Sequence, residues 1–181
     1  MMPSPETVMI QAVILVVFPF AMAFAAISDM LSMTIANRVS VILVATFMVV
    51  APLAGLGWGD YGMHLATGAA VLAATFALFA VGAMGGGDAK LISATAVWMG
   101  FNDVLLQYLI VSTVIGGFLT LAIVLFRASS LPVLAGNVAF LRRLSDKSQG
   151  VPYGIALGLG GLLVYPESPL VKLVVAGLAG H

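Results

Sequence analysis

Two aspartates carry the chemistry that this chain can do. Asp88 directly follows Gly85-Gly86-Gly87 and lies two residues before Lys90, where the apolar run 61–87 meets another at 91–102. Asp29 stands at the end of the first uncharged run. A carboxylate costs roughly 2.5–3.5 kcal/mol at the centre of a membrane helix, so one set between apolar runs is a functional candidate. Two carboxylates held close together do not both ionise easily, and such a pair can share one proton. The ionised member takes a proton from water, and the other protonates a scissile carbonyl oxygen or a leaving amine. Peptide hydrolysis by this route needs no cofactor and no metal. The glycines weaken a helix by about 1 kcal/mol each relative to Ala, and they allow a sharp turn or a close backbone approach.

Other chemistries find less support. The chain has no Cys, which excludes disulfides, thiol nucleophiles and cysteine metal sites. His64 and His181 stand alone, with no HExxH motif, and no GxSxG serine elbow occurs. Each acidic feature also has a plainer role. Asp29 taken alone suits an interfacial residue closing a span, and Asp88 suits a helix N-cap. The glycines suit a flexible loop. Lys90 suits either a snorkelling cation or a partner for an aspartate. Asn37 and Arg38 suit the start of a second helix. Pro152-Tyr153-Gly154 suits a helix opening with proline in its first turn and an interfacial tyrosine. Asp60 and Asp103 suit caps or loops.

The elements that must position these residues are membrane spans. The chain has 181 residues, 62% hydrophobic and 8% charged, against about 25% charged in a soluble domain. Its net charge is zero, so nothing points to nucleic acid. Met1 to Glu6 contains no basic residue and makes a poor signal peptide, so a retained first span is expected from Thr7 to Ser28. Pro19 is a candidate kink in it. Residues 39–59 form a second uncharged run, followed by a loop Trp58-Gly59-Asp60-Tyr61-Gly62 and a third span from Met63 to about Val81. The fourth run, Asp88 to Asn102, rises only about 22 Å against a core of roughly 30 Å, which would set Asp88 below the membrane surface. Residues 104–126 make a fifth span and 151–165 a sixth, while 170–180 is too short to cross alone. Between the last two spans, Leu131, Leu134, Val138 and Leu141 fall at helical spacing, as in an amphipathic segment on the cytoplasmic surface.

The expected fold is therefore all-α: a single membrane-embedded domain over residues 1–181, with about six transmembrane helices and the N-terminus outside. That layout puts Arg38, Lys90, Arg127, Arg142, Arg143 and Lys147 inside and only Lys172 outside, in keeping with the positive-inside rule. Asp29 and Asp88 then share the cytoplasmic side.

Gly85-Gly86-Gly87-Asp88 resembles the GxGD motif of membrane aspartyl proteases. With Ala89-Lys90-Leu91 it is similar to the GGGDxKL form of type IV prepilin peptidases. Asp29, with Ile35-Ala36-Asn37 after it, resembles that family's first aspartate and its downstream Ile-Pro-Asn; Ala36 departs from the pattern, which makes the turn less rigid. Val151-Pro152-Tyr153-Gly154 resembles the closing motif of the tight-adherence (Flp) pilus branch. The resemblance implies an aspartic endopeptidase with Asp29 and Asp88 as its catalytic pair. Gly85, Gly86, Gly87, Lys90, Asn37, Pro152, Tyr153 and Gly154 would bind substrate or support the site. The substrate would be a prepilin or pseudopilin, whose short basic leader is cut from a hydrophobic helix at the cytoplasmic face of a bacterial inner membrane. The glycines would let an extended substrate backbone approach Asp88. Larger members add an N-terminal domain with a Cys-ligated zinc, associated with N-methylation; lacking both, this chain is expected to cleave without methylating. The alternatives are another GxGD protease of preflagellin or intramembrane type, a small transporter using buried acids for ion coupling, and a non-catalytic assembly scaffold.

Overall fold

The computed structural model describes residues 4–129 and 150–179, and every described element is helical. The amphipathic segment expected around Leu131–Leu141, its neighbours Arg142, Arg143 and Lys147, and His181 lie outside the described residues. Helix α1 runs Pro5–Ser32. It begins where the Ser4 hydroxyl accepts the Thr7 N–H at 3.3 Å, with proline in the first turn and Glu6 beside the positive helix end. Pro19 lies within it without breaking it, and it ends at Met33, whose φ of 56° is left-handed. Ile14, Phe18, Met22, Ala25 and Asp29 are buried along one stripe at the three- and four-residue spacing of a helix face. Asp29 thus continues the core stripe by one turn and is turned inward.

Helix α2 spans Asn37–Leu53 and α3 spans Trp58–Ala80. The stretch expected as a loop, Trp58 to Gly62, forms the opening turns of α3. Gly57 caps it in extended conformation, Asp60 sits in the first turn, and Tyr61 stacks on Phe47 at 5.9 Å. Aromatic contact and an acid at the helix start therefore outweigh the glycines there.

Helix α4, Gly86–Met99, is the centre of the molecule. Leu91 through Met99 are all buried, as expected for a helix apolar all round. It packs chiefly on α3, then on α2. Gly68 of α3 admits the Val97 side chain so closely that a β-carbon would meet Val97 Cγ2, the small-residue packing typical of membrane helices. At the far end from Asp88, Trp98 is anchored. Its Nε1–H donates to the Leu43 carbonyl at 3.0 Å, and its ring lies 5.3 Å from Phe18 and 5.9 Å from Phe47.

Helix α5, Asp103–Ala128, starts at Asn102, whose side chain accepts the Val104 N–H at 2.8 Å. Helix α6, Tyr153–Val164, continues through a 3-10 turn at Tyr165–Glu167 into α7, Pro169–Ala179. Gly158 and Gly161 lie against Met22 and Ala26 of α1, while Gly160 lies against Ser112 of α5. This is an all-α, multi-pass membrane fold. Among the described residues three helices, α1, α3 and α5, are long and apolar enough to cross, and a fourth span follows if α6 and α7, bent by 42°, count as one. At 17 and 14 residues, α2 and α4 are shorter.

Candidate active site

Asp29 and Asp88 line one cavity of about 720 Å³ at the end of the bundle where α1 finishes and α4 and α6 begin. Asp29 arrives there on the core stripe of α1. Its Oδ2 accepts the Gly154 N–H at 2.7 Å in a buried hydrogen bond. Gly154 lies in the first turn of α6, so the carboxylate satisfies one of the amides a helix start leaves unpaired and meets its positive end. No larger residue fits at 154: a β-carbon would sit 2.8 Å from Asp29 Cβ and 2.9 Å from its Oδ2.

Asp88 is not the N-cap of α4. Gly85 takes that position with extended dihedrals, and Asp88 stands three residues later in the first turn. The Gly85 N–H faces the Asp88 carboxylate, the reach-back that the third residue of a helix makes in a capping box. A β-carbon at Gly85 would lie 2.8 Å from Asp88 Oδ2. Both carboxylates are therefore held by a backbone amide at a glycine that leaves them room, and Asp29 bears electrostatically on Asp88.

The plainer reading of the glycines as a flexible loop does not describe Gly86 and Gly87. Gly86 and Gly87 are helical and admit other parts of the same chain. A β-carbon would lie 3.2 Å from the Phe79 ring at Gly86 and 3.2 Å from Ile35 Cβ at Gly87. Of the three glycines, Gly85 lines the cavity. Lys90 pairs with neither aspartate: its Nζ donates to Asn37 Oδ1 at 2.9 Å and ties α4 to the start of α2. Asn37 does not cap α2, whose N-cap is Ala36. Pro152 is the N-cap of α6, one position ahead of its first turn. Tyr153 lines the cavity and covers Gly116 of α5, where a β-carbon would stand 2.6 Å from its ring.

Ser112 and Thr113 of α5 also line the cavity and were missed in the sequence. Adjacent hydroxyls inside an otherwise apolar span were the available signal. His64 is structural. Its Nδ1 lies 2.7 Å from the Val97 carbonyl, so that nitrogen carries the proton, and its ring stacks on Phe47 at 5.3 Å.

The family model described as the Type IV leader peptidase family matches residues 16–121. The chain belongs to that family. As a member it is an aspartic protease, and the match takes in both aspartates, the Ile35-Ala36-Asn37 turn and the glycine run. Gly154, which holds Asp29 in place, lies beyond the matched residues. No curated protein and no solved structure matches the chain.

Proposed function

We propose that this leader peptidase uses Asp29 and Asp88 as a water-activating pair to cut prepilins or pseudopilins of the Flp type at the cytoplasmic face of a bacterial inner membrane. The observation that carries this is the shared cavity: two carboxylates, delivered by the end of one helix and the start of another, each held by a backbone amide. One carboxylate takes a proton from water as the water oxygen bonds to the scissile carbonyl carbon. The protonated partner supplies a proton to the carbonyl oxygen, and the C–N bond then breaks as the amine is protonated. Among the described residues the cavity's charged lining consists of these two acids, which suits a substrate whose leader is basic. Its apolar wall, with Met84, Ile92 and Leu157, suits the hydrophobic segment after the cut.

In this reading α2 and α4 also cross, giving six spans with the N-terminus outside. The test is co-expression of the peptidase with a candidate prepilin, following leader removal by gel mobility. The wild type should trim the leader, while Asp29→Asn and Asp88→Asn, each at wild-type abundance, should leave it intact. Trimming that survives both substitutions would remove the pair from the mechanism.

A further inference from the structure

Helix α4 separates two cavities of different character. Asp88 faces the one described above. Lys90 lies two residues on, about 200° around the helix axis, and borders a second cavity of about 690 Å³. This cavity is a groove. Its walls are α2 and α3, which meet near the start of α3 through Phe47, Tyr61 and His64, and its floor is α4.

The groove is graded along its length. Asn37, Ser40, Lys90 and Ser93 border it near the starts of α2 and α4. Further along come Val44, Ala45, Met48, Leu65 and Val97, all apolar. From Asn37 to Met48 the helical rise is about 16 Å. The polar end carries a positive charge. Lys90 Nζ is hydrogen-bonded to Asn37 Oδ1, and among the described residues it has no carboxylate partner, the one ion pair being Lys172–Glu167. Beside it, among the described residues, the enclosed Ser40 hydroxyl has no hydrogen-bond partner.

A cation with spare donors above a narrow apolar trough, open sideways to the bilayer, matches an amphiphile with an anionic head and a hydrocarbon tail. Basic pockets between membrane helices hold anionic head groups for this reason, and the volume falls in the range of small-molecule sites. A substrate helix fits less well, because α4 would stand between it and Asp88. We propose that the α2–α3 groove binds one anionic phospholipid, its phosphate on Lys90 beside Asn37 and Ser40, and an acyl chain along Val44 to Met48. The lipid would then reinforce the α2–α4 tie two residues from Asp88.

The test uses the full chain, purified in neutral detergent and mixed with phosphatidylglycerol or with phosphatidylcholine of the same acyl chains. Native mass spectrometry should show one retained phosphatidylglycerol, favoured at least tenfold over phosphatidylcholine, with Tm raised by about 2–4 °C. Lys90→Gln should bring the two lipids to equal retention. Ala45→Trp, which fills the trough from an exposed position, should abolish retention while the lipid-free Tm stays at the wild-type value. Equal retention of both lipids by the wild type, or a preference that survives Lys90→Gln, would overturn the proposal. So would displacement of the lipid by a synthetic apolar helix, which would assign the groove to a protein partner. The readout is lipid retention and not cleavage, so it is independent of the aspartate pair.

Discussion

Gly154 and Gly85 limit how far either carboxylate can be moved. Neither has a positive φ among the described glycines, so space, not backbone conformation, demands glycine. Gly154→Ala would place a methyl group 2.8 Å from Asp29 Cβ, and Gly85→Ala one at 2.8 Å from Asp88 Oδ2. Both contacts are too short to persist. At Gly85 the crowded atom is a carboxylate oxygen, which can swing away; at Gly154 it is Asp29 Cβ, which moves only with α1 itself. A misplacement of about 1 Å can cost 10²-fold in rate. Gly85→Ala should therefore accumulate and melt nearly as the wild type does while cleaving on the order of 10²-fold more slowly, measured as initial rates on a purified prepilin. Gly154→Ala should lower the melting temperature as well as the rate, because α1 and α6 must move apart. Ala36 tests the opposite sign. Its φ of −65° is the value proline fixes, and its N–H makes no backbone bond in the turn. Ala36→Pro should stabilise the protein by about 0.4–1 kcal/mol through the unfolded chain, seen as a higher melting temperature with cleavage unchanged. The family's proline at this place thus fits the backbone this chain already adopts.

At the scale of the helix, α4 explains both what was legible in the sequence and what was not. The glycine run and Asp88 mark its start because a charge between apolar runs has few uses. Asp29 could be singled out in the same way. The partner of Asp29 could not, since Gly154 is 125 residues away and contributes only a backbone amide, which leaves no signature in residue type. The opening of α3 at Trp58 was hidden for a related reason: Gly59 and Gly62 suggest a loop, and what opposes them is Asp60 in the first turn and the long-range stacking of Tyr61 on Phe47. The all-round burial of α4 was visible as uniform hydrophobicity, but a lipid-facing span looks the same. What distinguishes it is the anchor at its far end. Trp98 is fully buried, touches Phe18 and Phe47, and donates to the Leu43 carbonyl. Trp98→Ala should cost about 3–5 kcal/mol and leave that carbonyl without its extra donor. The expected result is a much lower melting temperature in detergent. Cleavage should be lost through loss of folded protein, with the surviving fraction turning over at the wild-type rate.

For the molecule as a whole, the open issue is which ends of the helices share a side, and here the charge pattern and the packing make the same claim. The end of α1 and the starts of α4 and α6 meet at the cavity, so one face of the bundle holds Asp29, Asp88 and Gly154. The α2–α3 and α4–α5 connections then lie at the opposite face. Arg38, Lys90 and Arg127 belong to the cavity face and Lys172 to the other, a distribution that under the positive-inside rule supports the proposed cytoplasmic orientation of the cavity. The native chain contains no Cys, so a single introduced thiol reports its side without background. Phe101, 79% exposed between α4 and α5, and Val81, 77% exposed between α3 and α4, are suitable sites at opposite faces. In intact cells a membrane-impermeant maleimide should modify Phe101→Cys and spare Val81→Cys, and permeabilisation should expose the second. The α4–α5 connection reaches the outside only if the 14-residue α4 crosses, about 21 Å of helix in a core of roughly 30 Å. Labelling of both thiols from one side would mean that α4 turns back within the membrane. The aspartate pair would keep its local geometry in that case, but the six-span arrangement and the assignment of its cytoplasmic face would both fall.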